Sequence, residues 1–182
     1  YTHGEGYYEQ EKLNEKFEIY GLENIIFGND TIDNTDLIRR KWLNNDFGGV
    51  IFSLKHKLGK MNINLGGGIN QYSGQHYGNI IWAEYSSNSN IYHQYYWNKG
   101  EKFDRNIYAK GEYNITSSTN LFVDLQNRKI TYSFQGYDNN EKIGQQEVYH
   151  NFFNPKVGLF HSINQNQAVY ASFSVGNKEP NR

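Results

Sequence analysis

Cysteine is missing from the 182-residue sequence, which removes thiol nucleophiles, thiolate metal sites and disulfide staples from consideration. Its absence is compatible with an oxidising periplasmic or surface location, where a stray thiol is a liability. Proline occurs only twice and methionine once. No apolar run exceeds a few residues, whereas a membrane-spanning helix needs roughly 20, and mean hydropathy is −0.84. Neither sign of charge dominates, with 18 Lys and Arg against 19 Asp and Glu, so the chain carries no electrostatic footprint for a nucleic-acid partner. What the sequence does hold is aromatic: 16 Tyr, 11 Phe and 3 Trp. Together with its Asn and Gly content, that composition favours many strands joined by polar loops.

Six segments alternate with period two, the mark of a strand whose faces differ. In Met61 to Asn70 the apolar side chains Met61, Ile63, Leu65 and Ile69 occupy odd positions, and Asn or Gly the even ones. Val50, Phe52, Leu54 and Leu58 oppose Ser53, Lys55 and Lys57; Ile107, Ala109, Tyr113 and Ile115 oppose Asp104, Asn106, Lys110 and Glu112. Leu121, Val123 and Leu125 oppose Asp124, Gln126 and Arg128; Val157, Leu159 and Ile163 oppose Lys156 and Ser162; Val169, Ala171, Phe173 and Val175 oppose Ser172 and Ser174. Ile51 and Phe122 break the rule by falling on the polar side. The expected strands are 47–58, 61–72, 103–115, 121–134, 151–163 and 168–177, in an all-β, antiparallel up-and-down meander. Pro155 cannot donate to a ladder, which predicts a bulge or the strand's rim there, and the alternation slips at 127–130.

The connections alternate in length: short at Leu58-Gly59-Lys60, at 116–120 and at 164–167; long at 72–102 and medium at 135–149. A long segment, 3–45, precedes the first expected strand. Short turns on one side and long loops on the other are the habit of an outer-membrane barrel, whose roughly 25 Å apolar band each alternating segment can cross. The competing architecture is a soluble β-sandwich with one face buried and one wet.

Phe152-Phe153-Asn154-Pro155-Lys156-Val157-Gly158-Leu159, then Tyr170-Ala171-Ser172-Phe173-Ser174-Val175 and Asn177-Lys178-Glu179-Pro180-Asn181-Arg182, resembles TonB-dependent outer-membrane receptors of the Bacteroidetes type. Tyr1-Thr2-His3-Gly4-Glu5-Gly6-Tyr7-Tyr8-Glu9, Gly68-Ile69-Asn70-Gln71-Tyr72 and Trp82-Ala83-Glu84-Tyr85 look similar to earlier parts of the same family, so the resemblance runs along nearly the whole chain, 1–182. It implies that the chain is a segment of a 22-stranded transmembrane β-barrel, about six strands of its later half, in the bacterial outer membrane. It also implies a plug domain outside this sequence, energy supplied through periplasmic TonB, and uptake of a scarce small ligand such as a ferric siderophore, haem, cobalamin or a glycan. The opening without Met and the stop after Pro180-Asn181-Arg182 are read, correspondingly, as cuts in a longer chain.

Little here points to catalysis. His3, His56, His76, His93, His150 and His161 show no metal-ligand spacing, and no Ser-His-Asp or nucleophile-elbow signature occurs. Lys55, Lys57, Lys110, Glu112, Asp124, Arg128 and Lys156 are spread along separate strands and read as a solvated wall or as charges facing a plug. The expectation is a non-enzyme without a cofactor. Gly66-Gly67-Gly68 lacks the Lys-Ser/Thr of a phosphate loop and marks either a close backbone approach or a local bend. His93, Tyr95, Tyr96 and Trp97, in the expected long loop, are the candidate ligand contacts; the same aromatics could equally brace the loop or mark an interfacial girdle. The alternative function from another class is a soluble surface carbohydrate-binding β-sandwich module that stacks sugars on Trp and Tyr. A passive porin is a third reading.

Overall fold

The computed structural model describes residues 1–137 and 143–180, and no α-helix occurs among them. The strands are β1 (Thr2–Lys16), β2 (Ile25–Phe27), β3 (Asp30–Ile32), β4 (Asn34–Leu58), β5 (Met61–Ala83), β6 (Gln94–Asn114), β7 (Thr119–Tyr137), β8 (Ile143–Asn164) and β9 (Gln167–Ser174). Seven form one sheet in the order β1-β4-β5-β6-β7-β8-β9, and β2 and β3 form a separate hairpin between β1 and β4. The fold is thus an antiparallel meander, as the alternation predicted, and its sheet is open, with β1 and β9 as free edges.

Three expected connections need correction, the first being the medium one over 135–149, since β7 runs to Tyr137 and β8 already begins at Ile143. The segment 3–45 is not a loop: it holds β1, the small hairpin and the first turn-distant part of β4. The connection expected over 72–102 is shorter too, because β5 runs on to Ala83 and β6 begins at Gln94. The reason is visible in the β1–β4 pairing, where Glu9 faces Arg40, Gln10 faces Arg39 and His3 faces Asp46. Polar side chains on both faces fix this register by hydrogen bonds and ion pairs, so no apolar alternation announces it.

The short turns follow from local chemistry. Gly59 adopts φ 58° between β4 and β5, a conformation glycine takes without a Cβ penalty. Between β8 and β9 the Asn166 amide donates to Asn164 Oδ1 at 2.9 Å, an Asx turn. Pro155 lies inside β8 with no bulge against β9; its carbonyl accepts from Val175 N at 2.9 Å, just beyond the end of β9. Pro155 therefore leaves only the outermost rung between β8 and the edge strand β9 without its donor. The slip at 127–130 does not interrupt β7, and Asn127 Nδ2 donates to Asn151 Oδ1 at 3.0 Å.

The chain divides into two compact units. The first comprises Tyr1–Gly48, Tyr72–Lys102 and Tyr132–Val148; the second comprises Gly49–Gln71, Phe103–Thr131 and Tyr149–Arg182. All three short turns belong to the second unit, and the β2–β3 hairpin and the 84–93 connection belong to the first.

In the second unit, Phe52, Leu65, Ile107, Leu125 and Phe153 line one shallow apolar recess of about 420 Å³. Val157 pairs with Phe173 and Leu159 with Ala171 across β8 and β9. Among the described residues no second layer covers these side chains: Val50 is 72% exposed, Phe52 56% and Phe173 67%. Several glycines of β5 lie against aromatic rings, whereas Gly68 meets Ile51 and Asn106. The Tyr108 ring lies where a Cβ on Gly66 would sit, and the Phe52 ring is 3.2 Å from the Cβ position of Gly67. Tyr170 covers Gly158 in the same manner at 3.2 Å. Ring-over-glycine packing restores buried area that a bare glycine forfeits in a strand, so Gly66 is a close side-chain approach and not a bend.

Candidate functional site

The first unit owns a hydrophobic core. Phe17 and Tyr20, on a 3₁₀ turn, pack with Leu22, Leu37 of β4, Ile80 of β5 and Tyr95 of β6. The turn ends at Gly21 with φ 67°, and the Phe17 amide donates to Asp33 O at 2.8 Å. Ile25 and Ile32 pair across the β2–β3 hairpin and close over the cluster. The hairpin turns at Gly28, φ 63°, and the run Ile25-Ile26-Phe27-Gly28-Asn29-Asp30 was its signal in the sequence. Phe17, Tyr20 and Leu37 gave none: isolated apolar residues among charges look like surface until tertiary contacts are known.

Three of the four candidate contacts, His93, Tyr95 and Tyr96, lie at or beside this core. His93 Nε2 is 2.8 Å from Tyr20 O and its side chain is half-buried. Tyr95 is buried and meets Tyr20 edge-on, with centroids 4.9 Å apart. Tyr96 meets Tyr95 edge-on at 5.0 Å, and both rings occupy the space over Gly78. Trp97 stacks on Tyr137 at 6.4 Å. Tyr95, Tyr96 and Trp97 thus sit on the first residues of β6 and not at a loop tip. Tyr85, Ile91 and Tyr92 are the exposed large side chains of the 84–93 connection.

That connection is tied to the 3₁₀ segment. Ser87 Oγ donates to Glu23 O at 2.5 Å, and Glu23 N donates to Asn88 Oδ1 at 3.2 Å. Tyr20 Oη donates to Glu15 Oε2 at 2.9 Å and accepts from Arg39 Nη1 at 3.2 Å. Burial, with Glu15 as acceptor, pushes the Tyr20 phenol up to about 12, against a smaller opposing pull from Arg39. A second cluster of rings runs over three adjacent strands: Tyr7, Trp42 and Tyr77, with centroids 4.7 and 5.9 Å apart. Arg40 lies over Tyr7 at 4.3 Å while donating to Glu9 from Nε and Nη2.

The polar face of the second unit carries a recess of about 460 Å³, lined by Lys55, Lys57, Asn62, Asn64, Lys110 and Glu112 among others. Lys110 Nζ is 3.5 Å from Asp124, and Lys156 lies over the Phe122 ring at 5.4 Å, which gives that misplaced aromatic a polar-face partner. Arg128 holds buried Asp104 through Nε, at 3.1 Å to each carboxylate oxygen, and through Nη2. The Arg128–Asp104 and Lys110–Asp124 pairs are neutralised along the wall, and their carboxylates do not converge as an acid/base pair would. Among the described residues, no group of three or more His, Asp or Glu could hold a metal ion. His161 Nδ1 is instead 2.9 Å from Thr119 Oγ1, next to a short turn.

No protein-family model matches the chain, and no curated protein matches it.

Proposed function

We propose that this chain is a wall segment of an outer-membrane transport barrel of the TonB-dependent receptor type, in which the second unit crosses the lipid. The observation that carries the reading is the bare apolar face of that unit. A sandwich would bury Val50, Phe52, Leu54, Leu65, Val157 and Phe173 against a second sheet, yet all six are 42% exposed or more. Aliphatic and aromatic area left in water forgoes about 25 cal/mol per Å², and lipid is a medium that restores it. The stretches of β4 and β5 within this unit, 49–58 and 61–71, match the roughly 9–11 tilted residues that a spanning strand needs, and that of β6, 103–114, is one residue longer. The opposite face bears Lys55, Lys57, Asn64, Lys110 and Asp124 and suits a polar lumen. Short turns at Gly59-Lys60, 115–118 and 165–166 would face the periplasm. The free edges of β1 and β9 would be paired by further strands of a 22-stranded wall, because an unpaired edge within lipid leaves backbone groups unsatisfied.

The plug, the TonB contact and the ligand are part of this proposal by resemblance. Within the chain, first ligand contact would fall to the exposed Tyr85, Ile91 and Tyr92, with His93, Tyr95 and Tyr96 holding their base and Trp97 flanking it.

One pair of substitutions tests the membrane reading. Leu65 and Asn64 are adjacent residues of β5 on opposite faces. An Arg facing the bilayer midplane costs about 2–4 kcal/mol, so Leu65→Arg is expected to deplete folded protein from the outer membrane while Asn64→Arg is tolerated. Equal amounts of both variants in the outer-membrane fraction would sink the reading. A protein that stays monodisperse without detergent would favour the carbohydrate-binding module.

A further inference from the structure

The apolar face of the second unit ends in a cationic step. Along β6 that face carries Ala109 and Ile107, then Arg105 and Phe103; along β7 it carries Leu125, then Asn127 and Lys129. The pairing set where Ile115 N donates to Thr119 O, and continued by the Lys110–Asp124 contact, puts Arg105 opposite Lys129. Both side chains are exposed, and among the described residues neither has a carboxylate within ion-pair distance. Like charges directly opposite each other on adjacent strands destabilise a sheet. Elsewhere in this unit Arg128 pairs with Asp104 and Lys110 with Asp124, while the exposed Lys55 and Lys57 stand on the polar face, where water solvates them. An uncompensated pair at this border calls for an anion from outside the chain.

The surroundings define that anion. Arg105 lies 5.9 Å over the Phe103 ring, and Tyr149, 68% exposed, is on the neighbouring β8. The Asn127 and Asn151 amides are joined at 3.0 Å beside the two cations. Aromatic rings and cationic heads at the rim of an apolar face match the headgroup level of a bilayer. A guanidinium fork next to an ammonium suits a phosphate that is held from below by its acyl chains.

We propose that Arg105 and Lys129 form a binding site for the phosphate of an anionic lipid, whose acyl chains lie along Ile107, Leu125 and Phe153. The proposal rests on the membrane reading, and commits to a lipid and not to free phosphate. The site lies at the end of the apolar face away from the short turns.

The test uses the protein purified in a non-ionic detergent and titrated with phosphatidylglycerol or phosphatidylcholine, with bound lipid counted by native mass spectrometry. An anionic surface attracts each nearby Lys or Arg by about 1 kcal/mol, or about five-fold in affinity. Arg105→Gln with Lys129→Gln is therefore expected to weaken phosphatidylglycerol binding by roughly thirty-fold and to leave phosphatidylcholine binding unchanged. Lys55→Gln with Lys57→Gln removes the same charge from the opposite face and is expected to have no effect. The wild-type preference is expected to shrink with added salt and to survive inorganic phosphate at equal ionic strength. Undiminished phosphatidylglycerol binding by the Arg105/Lys129 variant, or equal loss in the Lys55/Lys57 variant, overturns the site while the membrane reading stands. Displacement by inorganic phosphate also overturns it, as a free-anion site. Binding of neither lipid by a protein that is monodisperse in plain buffer overturns both.

Discussion

The first unit buries its apolar side chains against one another, and the second wears them outside. Phe17, Tyr20 and Leu37 are each 0% exposed in the first unit, whereas Ile130 is the one large apolar side chain so deeply buried among the described residues of the second. The contrast is not one of supply, since the second unit has the richer stock of Val, Ile, Leu and Phe. It is one of pattern. The first unit inserts a 3₁₀ turn and a hairpin that fold back over the sheet, giving Leu37, Ile80 and Tyr95 something to pack on. The second has only hairpin turns of a few residues, which cannot return a layer to cover a face. A sheet that alternates along most of six strands, with no covering layer among the described residues, would suit a surrounding apolar medium, and that is the physical content of the membrane proposal.

The widest gap between the two should come from cutting equal side chains. Phe17→Ala removes a fully buried ring from the first unit and is expected to destabilise it by about 3–5 kcal/mol. Phe52→Ala, in the second, removes a ring that is 56% exposed and should cost far less in detergent, where micelle tails fill the space. Amide hydrogen exchange resolves the two: Phe17→Ala should speed exchange at Leu37 and Ile80 while leaving 61–71 protected. Uniform acceleration through both units would mean that they unfold as one and that the division has no energetic meaning.

How much of this was legible follows the same division. In the second unit the sequence carried nearly everything, because one face is apolar and the other polar, and a one-residue slip would exchange them. Val50, Leu65, Ile107 and Leu125 fall where the alternation put them. In the first unit both faces of β1 and early β4 are polar, so Glu9 with Arg40 and Gln10 with Arg39 decide the pairing. Such pairs are specific only once the strands are side by side. The core there draws Phe17 and Tyr20 from outside any strand, and Tyr95 from a segment whose aromatic crowding suited a ligand site as well as a brace. The sequence could name the aromatics near 95, but not say which of them would be buried.

A smaller difference should appear at high pH. The Tyr20 phenol lies at about 12 in the fold against an ordinary 10.0, chiefly because it is buried. The folded state holds that proton more tightly than the unfolded chain does. Its contribution to stability is therefore complete below pH 10 and is lost as pH rises toward 12. Exchange at Leu37 and Ile80 should accelerate across that window, and Tyr20→Phe should abolish the part of the pH dependence due to this group. A pH response unchanged by Tyr20→Phe would assign alkaline loosening to other groups.

The finest test of the comparison is Tyr95→Phe. Tyr95 is 7% exposed, and its hydroxyl finds no hydrogen-bond partner among the described residues. Burial without a partner costs a hydroxyl its hydration, so the ring stabilises the core while the oxygen works against it. Removing only the oxygen keeps the edge-on contacts with Tyr20 and Tyr96. The expected outcome is a first unit of unchanged stability, or one firmer by up to about 1 kcal/mol, whereas Tyr95→Ala should loosen it severely. Ligand binding to intact cells then separates bracing from contact. If Tyr95 only braces, Tyr95→Phe leaves affinity at the wild-type level, and Tyr92→Ala, at an exposed position of the connection, lowers it. Loss of binding in Tyr95→Phe, with normal surface levels and an intact core, would return the hydroxyl to the ligand and make its lack of a partner the mark of a vacant contact.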